Sequence, residues 1–125
     1  MIIVDHIRTV LLVSGAFTLV PILVLLLPTR GPRLLFGVDA PDGAGGLLTR
    51  HWSMLASSLG ALLIYAAWHP ELRVPLMLAA AIEKAGLVSL IVADWNKPHT
   101  AGMRPIVIID LVIVVVYAIY LLHSL

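Results

Sequence analysis

No cysteine occurs among the 125 residues, which excludes disulfides, thiolate metal sites and cysteine nucleophiles and leaves the redox compartment unreadable. Charge is scarce as well: Asp, Glu, Lys and Arg supply 12% of the chain, against about a quarter in ordinary soluble domains. The eight basic residues are spread along the chain and nearly balanced by seven acids, so no basic face is available for nucleic acid. Gly43-Ala44-Gly45-Gly46 lacks the Lys and Ser/Thr of a phosphate cradle. The five histidines never fall at i and i+4 on one helical turn, so neither a metal site nor a cofactor is expected.

What is present is hydrocarbon. Hydrophobic residues make up 61% of the chain and the mean hydropathy is +1.06, a composition that calls for lipid as solvent. Four runs, Val10–Leu27, Trp52–Trp68, Val74–Val92 and Pro105–Leu122, hold roughly 17–20 residues each, enough at ~1.5 Å per residue to cross a hydrocarbon core of ~30 Å. The expected fold is an all-α, polytopic, up-down bundle of four transmembrane helices in a single domain, residues 1–125. No small-x-small cleavage site follows the first run, so it reads as a retained span.

The connections agree with that plan. Thr29–Arg50 is rich in Gly and Pro and reads as a loop with one short interfacial segment, Leu34–Phe36. His69–Arg73 and Asn96–Arg104 are short, as antiparallel neighbours require. Trp52 and Trp95 fall at one expected membrane face and Tyr65, Trp68, Tyr117 and Tyr120 toward the other, where amphipathic rings settle. Arg30, Arg33, Arg50, Lys97 and Arg104 share one face against Arg8 and Arg73 opposite, which places both termini outside the cytoplasm of a cell membrane, the bacterial inner membrane being the expected setting. In the first run, Ser14, Thr18 and Pro21 are read as bending the helix and satisfying its freed carbonyls.

The third run carries the chemistry. Glu83 and Lys84 stand near its middle, where a lysine costs ~3 kcal/mol to insert and a glutamate about as much, while the nine Leu, Ile and Val of Val74–Val92 return only about 4–5 kcal/mol. Such residues face a protein interior or a water-filled cavity. Neighbours diverge by about 100° around a helix. Leu76, Ala79, Ala80, Glu83, Gly86, Leu87, Leu90 and Asp94 form one stripe, which is the expected buried face. It would pack on Ser53, Ser57, Gly60 and Ala61 of the second helix. Asp110 enters the fourth helix from the same membrane face, so Glu83, Lys84, Asp110, Arg50 and Asp94 are the candidate ligand-binding or charge-network residues. A plain structural alternative keeps Glu83 and Lys84 as glue between helices and Asp110 as a protonated side chain.

The stretch Arg50-His51-Trp52-Ser53-Met54-Leu55, continuing through Gly60–Pro70 to Leu72-Arg73-Val74-Pro75 and then Glu83-Lys84, resembles small uncharacterised bacterial four-helix integral membrane proteins, DoxX-like in overall plan. The resemblance spans about half the chain. It implies the four-helix plan and an association with membrane redox or quinone systems, and it carries over no catalytic residue.

Three functions fit. The leading one is a protein that binds a lipophilic small molecule of lipid or quinone type, or a partner membrane subunit, through the charged cluster. A second is a proton-coupled exporter similar to small multidrug transporters, although those carry their membrane acid in the first helix and Val10–Leu27 has none. A third is a membrane-embedded isomerase or hydrolase using Glu83 or Asp110 as acid or base. Because four helices enclose little volume, a homo-oligomer or membrane complex is the expected assembly, with the lipid bilayer as its constant partner.

Overall fold

The computed structural model describes residues 2–124. It comprises α1 (Ile2–Asp5), α2 (Ile7–Leu19), α3 (Ile22–Leu26), α4 (Arg30–Phe36), α5 (Gly43–Ala66), α6 (Arg73–Ala93) and α7 (Arg104–Ser124). Two 3-10 turns, Pro70–Leu72 and Pro98–Met103, complete it. No strand occurs among the described residues. The protein is all-helical.

Among the described residues, three stretches are long and apolar enough to cross a membrane: Ile7–Leu26, Pro70–Ala93 and Pro98–Ser124. The expected second run, Trp52–Trp68, overlaps α5, which starts earlier, at Gly43 within the expected loop, and ends at Ala66; it has the length at 24 residues but is diluted by Thr49-Arg50-His51 and by Ser53, Ser57 and Ser58. An apolar core is present, yet large apolar side chains also cover the outside and several polar ones lie within. Leu62, Leu90, Ile108, Val112 and Val115 are exposed, while Ser14, Thr18, Ser53, Ser57, Lys84 and Asp110 are buried. That distribution suits a hydrocarbon solvent, in which polar groups must be satisfied within the protein.

The first run is interrupted, as Pro21 requires. A proline has no N–H to give to the carbonyl four residues back, and here the Val20 N–H serves Phe17 O instead, at 3.2 Å. Upstream, Ser14 Oγ donates to Val10 O at 2.6 Å and Thr18 Oγ1 to Ser14 O at 2.7 Å, so the hydroxyls bond within their own helix but not to Phe17 O, the carbonyl that Pro21 frees. Beyond the break, the stretch that holds Leu34–Phe36 is a two-turn helix, α4, closed by Gly37 at φ 66°. Its N–H returns to Arg33 O, a left-handed ending open to glycine at little cost.

The close packing departs from expectation. Ser53, Ser57 and Gly60 are indeed buried, but the close contact at Gly60 is with α2, where a methyl added at that position would meet Leu19 N at 2.5 Å and Gly15 O at 2.8 Å. The tight pairs are therefore α2 with α5 and α6 with α7, and the α5–α6 contact is slighter. Small residues let backbones approach, and α2 offers a glycine facing Gly60 where α6 offers none: Gly86 has open space beside it.

Candidate functional site

Lys84 and Asp110 define the site. Near the middle of α6, Lys84 Nζ donates to Asp110 Oδ1 of α7 at 3.1 Å, with side chains only 4% and 3% exposed. The pair fastens α6 to α7 inside the protein. Lys84 also lies 5.6 Å from the centroid of the Phe17 ring, within cation–π range, so the ammonium touches α2 as well.

The buried stripe of α6 is Met77, Ala80, Lys84, Val88 and Ile91. This corrects the expected face by about one residue's rotation: Leu90 is 72% exposed, and Ala79 and Gly86 also look outward. Ala79-Ala80-Ala81 makes small residues available in every direction, so smallness does not fix the register. The partner does, because Asp110 can pair with an ammonium and not with another carboxylate. Glu83 is left half-buried at the edge of that face.

Glu83 borders a cavity of about 160 Å³. The walls include both phenylalanines of the chain, Phe17 and Phe36, together with Trp52, Pro21, Leu87 and Ile109, and its ionisable groups are Glu83, Lys84 and Asp110. Each helical segment gives a wall for a local reason. The break at Pro21 opens the α2–α3 junction, α4 folds back so that Leu35 and Phe36 close one side, and α5 supplies Trp52, whose ring lies 5.8 Å from that of Phe36. The Trp52 side chain is also in polar contact with the Glu83 carboxylate. Among the described residues, Glu83 makes no ion pair within 4.0 Å.

The remaining two candidates lie elsewhere. Arg50 is exposed and borders a separate polar hollow with Thr49, Pro41 and Asp42. Asp94 caps the end of α6 and organises the following turn, accepting from His99 Nε2 at 3.1 Å and pairing with Lys97 at 3.3 Å. The His99 hydrogen bond, with help from Lys97, holds the Asp94 carboxyl below its ordinary range. In the same turn Thr100 donates its hydroxyl to nearby backbone carbonyls, Asp94 O among them at 3.0 Å, and Arg104 donates to Trp95 O at 2.9 Å while lying over the indole.

Tyr117 is also relocated. It sits at 0% exposure, with its hydroxyl 2.5 Å from Ser14 Oγ, and so joins α7 to α2 inside the protein rather than marking a membrane face. The sequence signals missed here are aromatic: Phe17, Phe36 and Trp52 come from three different helices, and nothing local announces that they meet. Compared with protein-family models, curated proteins and solved structures, the chain gives no match.

Proposed function

We propose that this is a small multi-pass membrane protein that binds a lipophilic small molecule in the cavity between its helices. The observation that carries the reading is the cavity's composition. Its walls are mostly aromatic and aliphatic and its ionisable groups are three, Glu83, Lys84 and Asp110, the pattern by which a site takes an apolar body and fixes the orientation of a polar head. An engineered apolar cavity of ~150 Å³ holds a benzene, so about 160 Å³ accommodates a head or ring with the remainder of the molecule outside. Lipids and quinones are the expected chemical neighbourhood. Mass spectrometry of the protein purified in mild detergent tests this: a lipophile retained by the native chain and lost on Phe36→Trp, which fills the cavity, is the expected result. An empty native protein overturns it.

In this reading α5 is a fourth span. Its Ser53 and Ser57 turn inward, its Leu55 and Leu62 turn outward, the exposed Ser58 donates its hydroxyl back to Met54 O, and its last carbonyls are held by Arg8 and Arg73. Four spans put both termini on one side of the membrane, and three put them on opposite sides. Because the chain has no cysteine, single substitutions Asp5→Cys, Glu71→Cys, Asn96→Cys and His123→Cys report accessibility without background. A membrane-impermeant maleimide should label positions 5, 71 and 123 from one side and 96 from the other. Labelling of 5 and 123 from opposite sides sinks the four-span topology.

A further inference from the structure

The ligand's charge can be read from the same cavity, an inference that rests on the binding reading above. Three ionisable groups line it, Glu83, Lys84 and Asp110, and no arginine or histidine does. Lys84 and Asp110 are already joined at 3.1 Å and neutralise each other, and the ammonium is further occupied by the Phe17 ring. The group left over is a carboxylate. Glu83 stands at the cavity wall with Trp52 in contact and Phe36 beside that indole. A carboxylate in a cavity walled by Phe17, Phe36 and Trp52 is a receptor for a cation, since the acid supplies the counter-ion and aromatic walls accept an ammonium head with its apolar substituents.

We infer that the cavity selects lipophilic cations, an amine or quaternary ammonium head on an apolar body, over lipophilic anions and neutral amphiphiles. An anion would meet Glu83 directly and could be answered only by taking Lys84 from Asp110, leaving a buried carboxylate bare. A neutral head gains the walls but not the charge. A cation gains both, and by its presence stabilises the ionised carboxylate that holds it.

The test uses the full chain in phosphatidylcholine nanodiscs, with Trp68→Phe and Trp95→Phe so that Trp52 is the single tryptophan reporter. Three probes share one tail: decyltrimethylammonium, decyl sulfate and decanol, each titrated below its micelle concentration against empty nanodiscs. The expected result is a saturable change in Trp52 emission with the ammonium, at an apparent Kd at least tenfold below that of the sulfate. Glu83→Gln should raise the ammonium Kd about tenfold without moving that of decanol, and Glu83→Asp should recover part of the loss. Phe36→Leu, which keeps every charge, should weaken the ammonium several-fold, and it carries the test if Glu83→Gln fails to fold. Saturation by decanol or decyl sulfate at least as tight as by the ammonium overturns the inference while leaving a lipophile site in place. Saturation by none of the three overturns both.

Discussion

A lysine and an aspartate 3.1 Å apart and almost wholly enclosed are a pairing that neither residue can leave cheaply. Removing one partner of a buried pair costs about 3–5 kcal/mol, because the other charge is stranded, whereas replacing both with apolar side chains is often neutral. Asp110→Asn should therefore destabilise the protein by about that amount. The double change Lys84→Met with Asp110→Leu should restore most of it, with thermal unfolding in detergent as the measure. A weaker tie lies between Ser14 and Tyr117. Tyr117→Phe leaves the serine bonded to Val10 O, so the loss should stay near the ~0.6 kcal/mol typical of membrane hydrogen bonds. The sequence shows that Glu83 and Lys84 need company, since their insertion cost is visible in the composition of the run. It does not show which of them turns inward, because that choice is made by Asp110, twenty-six positions along the chain.

Between elements, the geometry of approach decides more than polarity does. Gly15 and Gly60 bring α2 and α5 together until a methyl at either position would collide with backbone atoms, Gly60 O at 3.0 Å in one case and Leu19 N at 2.5 Å in the other. Gly60→Ala should force these helices apart and lower stability, while Gly86→Ala, with open space around it, should be neutral or gain up to ~1 kcal/mol from helix propensity. The same melts check both. The starts of α6 and α7 and the break after α2 were legible from the apolar runs and from Pro21, Pro70 and Pro98, but the start of α5 at Gly43, inside the Gly- and Pro-rich stretch expected as a loop, was not, and neither was the pairing of helices, because Gly60 reads identically whichever neighbour it faces. The α6–α7 turn adds a pH dependence. Asp94 is held below its ordinary pKa of 3.8, chiefly by His99, so its contribution is complete above that value and is lost as pH falls through the lower folded one. Hydrogen exchange in residues 98–103 should accelerate below about pH 3.8, and Asp94→Asn should remove the acid-dependent part. The group is exposed, so added salt should shrink the effect.

At the scale of the whole molecule, charge is arranged by end. Arg30, Arg33, Arg50, Lys97 and Arg104 lie in or beside the connections that flank the cavity, whereas the opposite end has only Arg8 and Arg73, and both are committed. Arg8 Nε donates to Ala67 O at 3.3 Å, while Arg73 donates to Ala66 O at 3.0 Å and to Ala67 O at 2.7 Å. Two arginines from α2 and α6 thus close the end of α5, whose final carbonyls have no helical partner of their own. The sequence counts these residues as topological charges; the structure gives them a structural task. One guanidinium reaching two carbonyls uses its fork of donors, which an ammonium cannot reproduce. Arg73→Lys should therefore lower stability nearly as much as Arg73→Gln, by about 1.5–3 kcal/mol for a charged hydrogen bond lost, although it keeps the charge. Cysteine labelling of each variant separates the two roles: an unchanged pattern with a lowered melting temperature is expected for both. If Arg73→Gln inverted the labelling at full thermal stability, Arg73 would be acting as a topological charge and the clamp on α5 would contribute nothing.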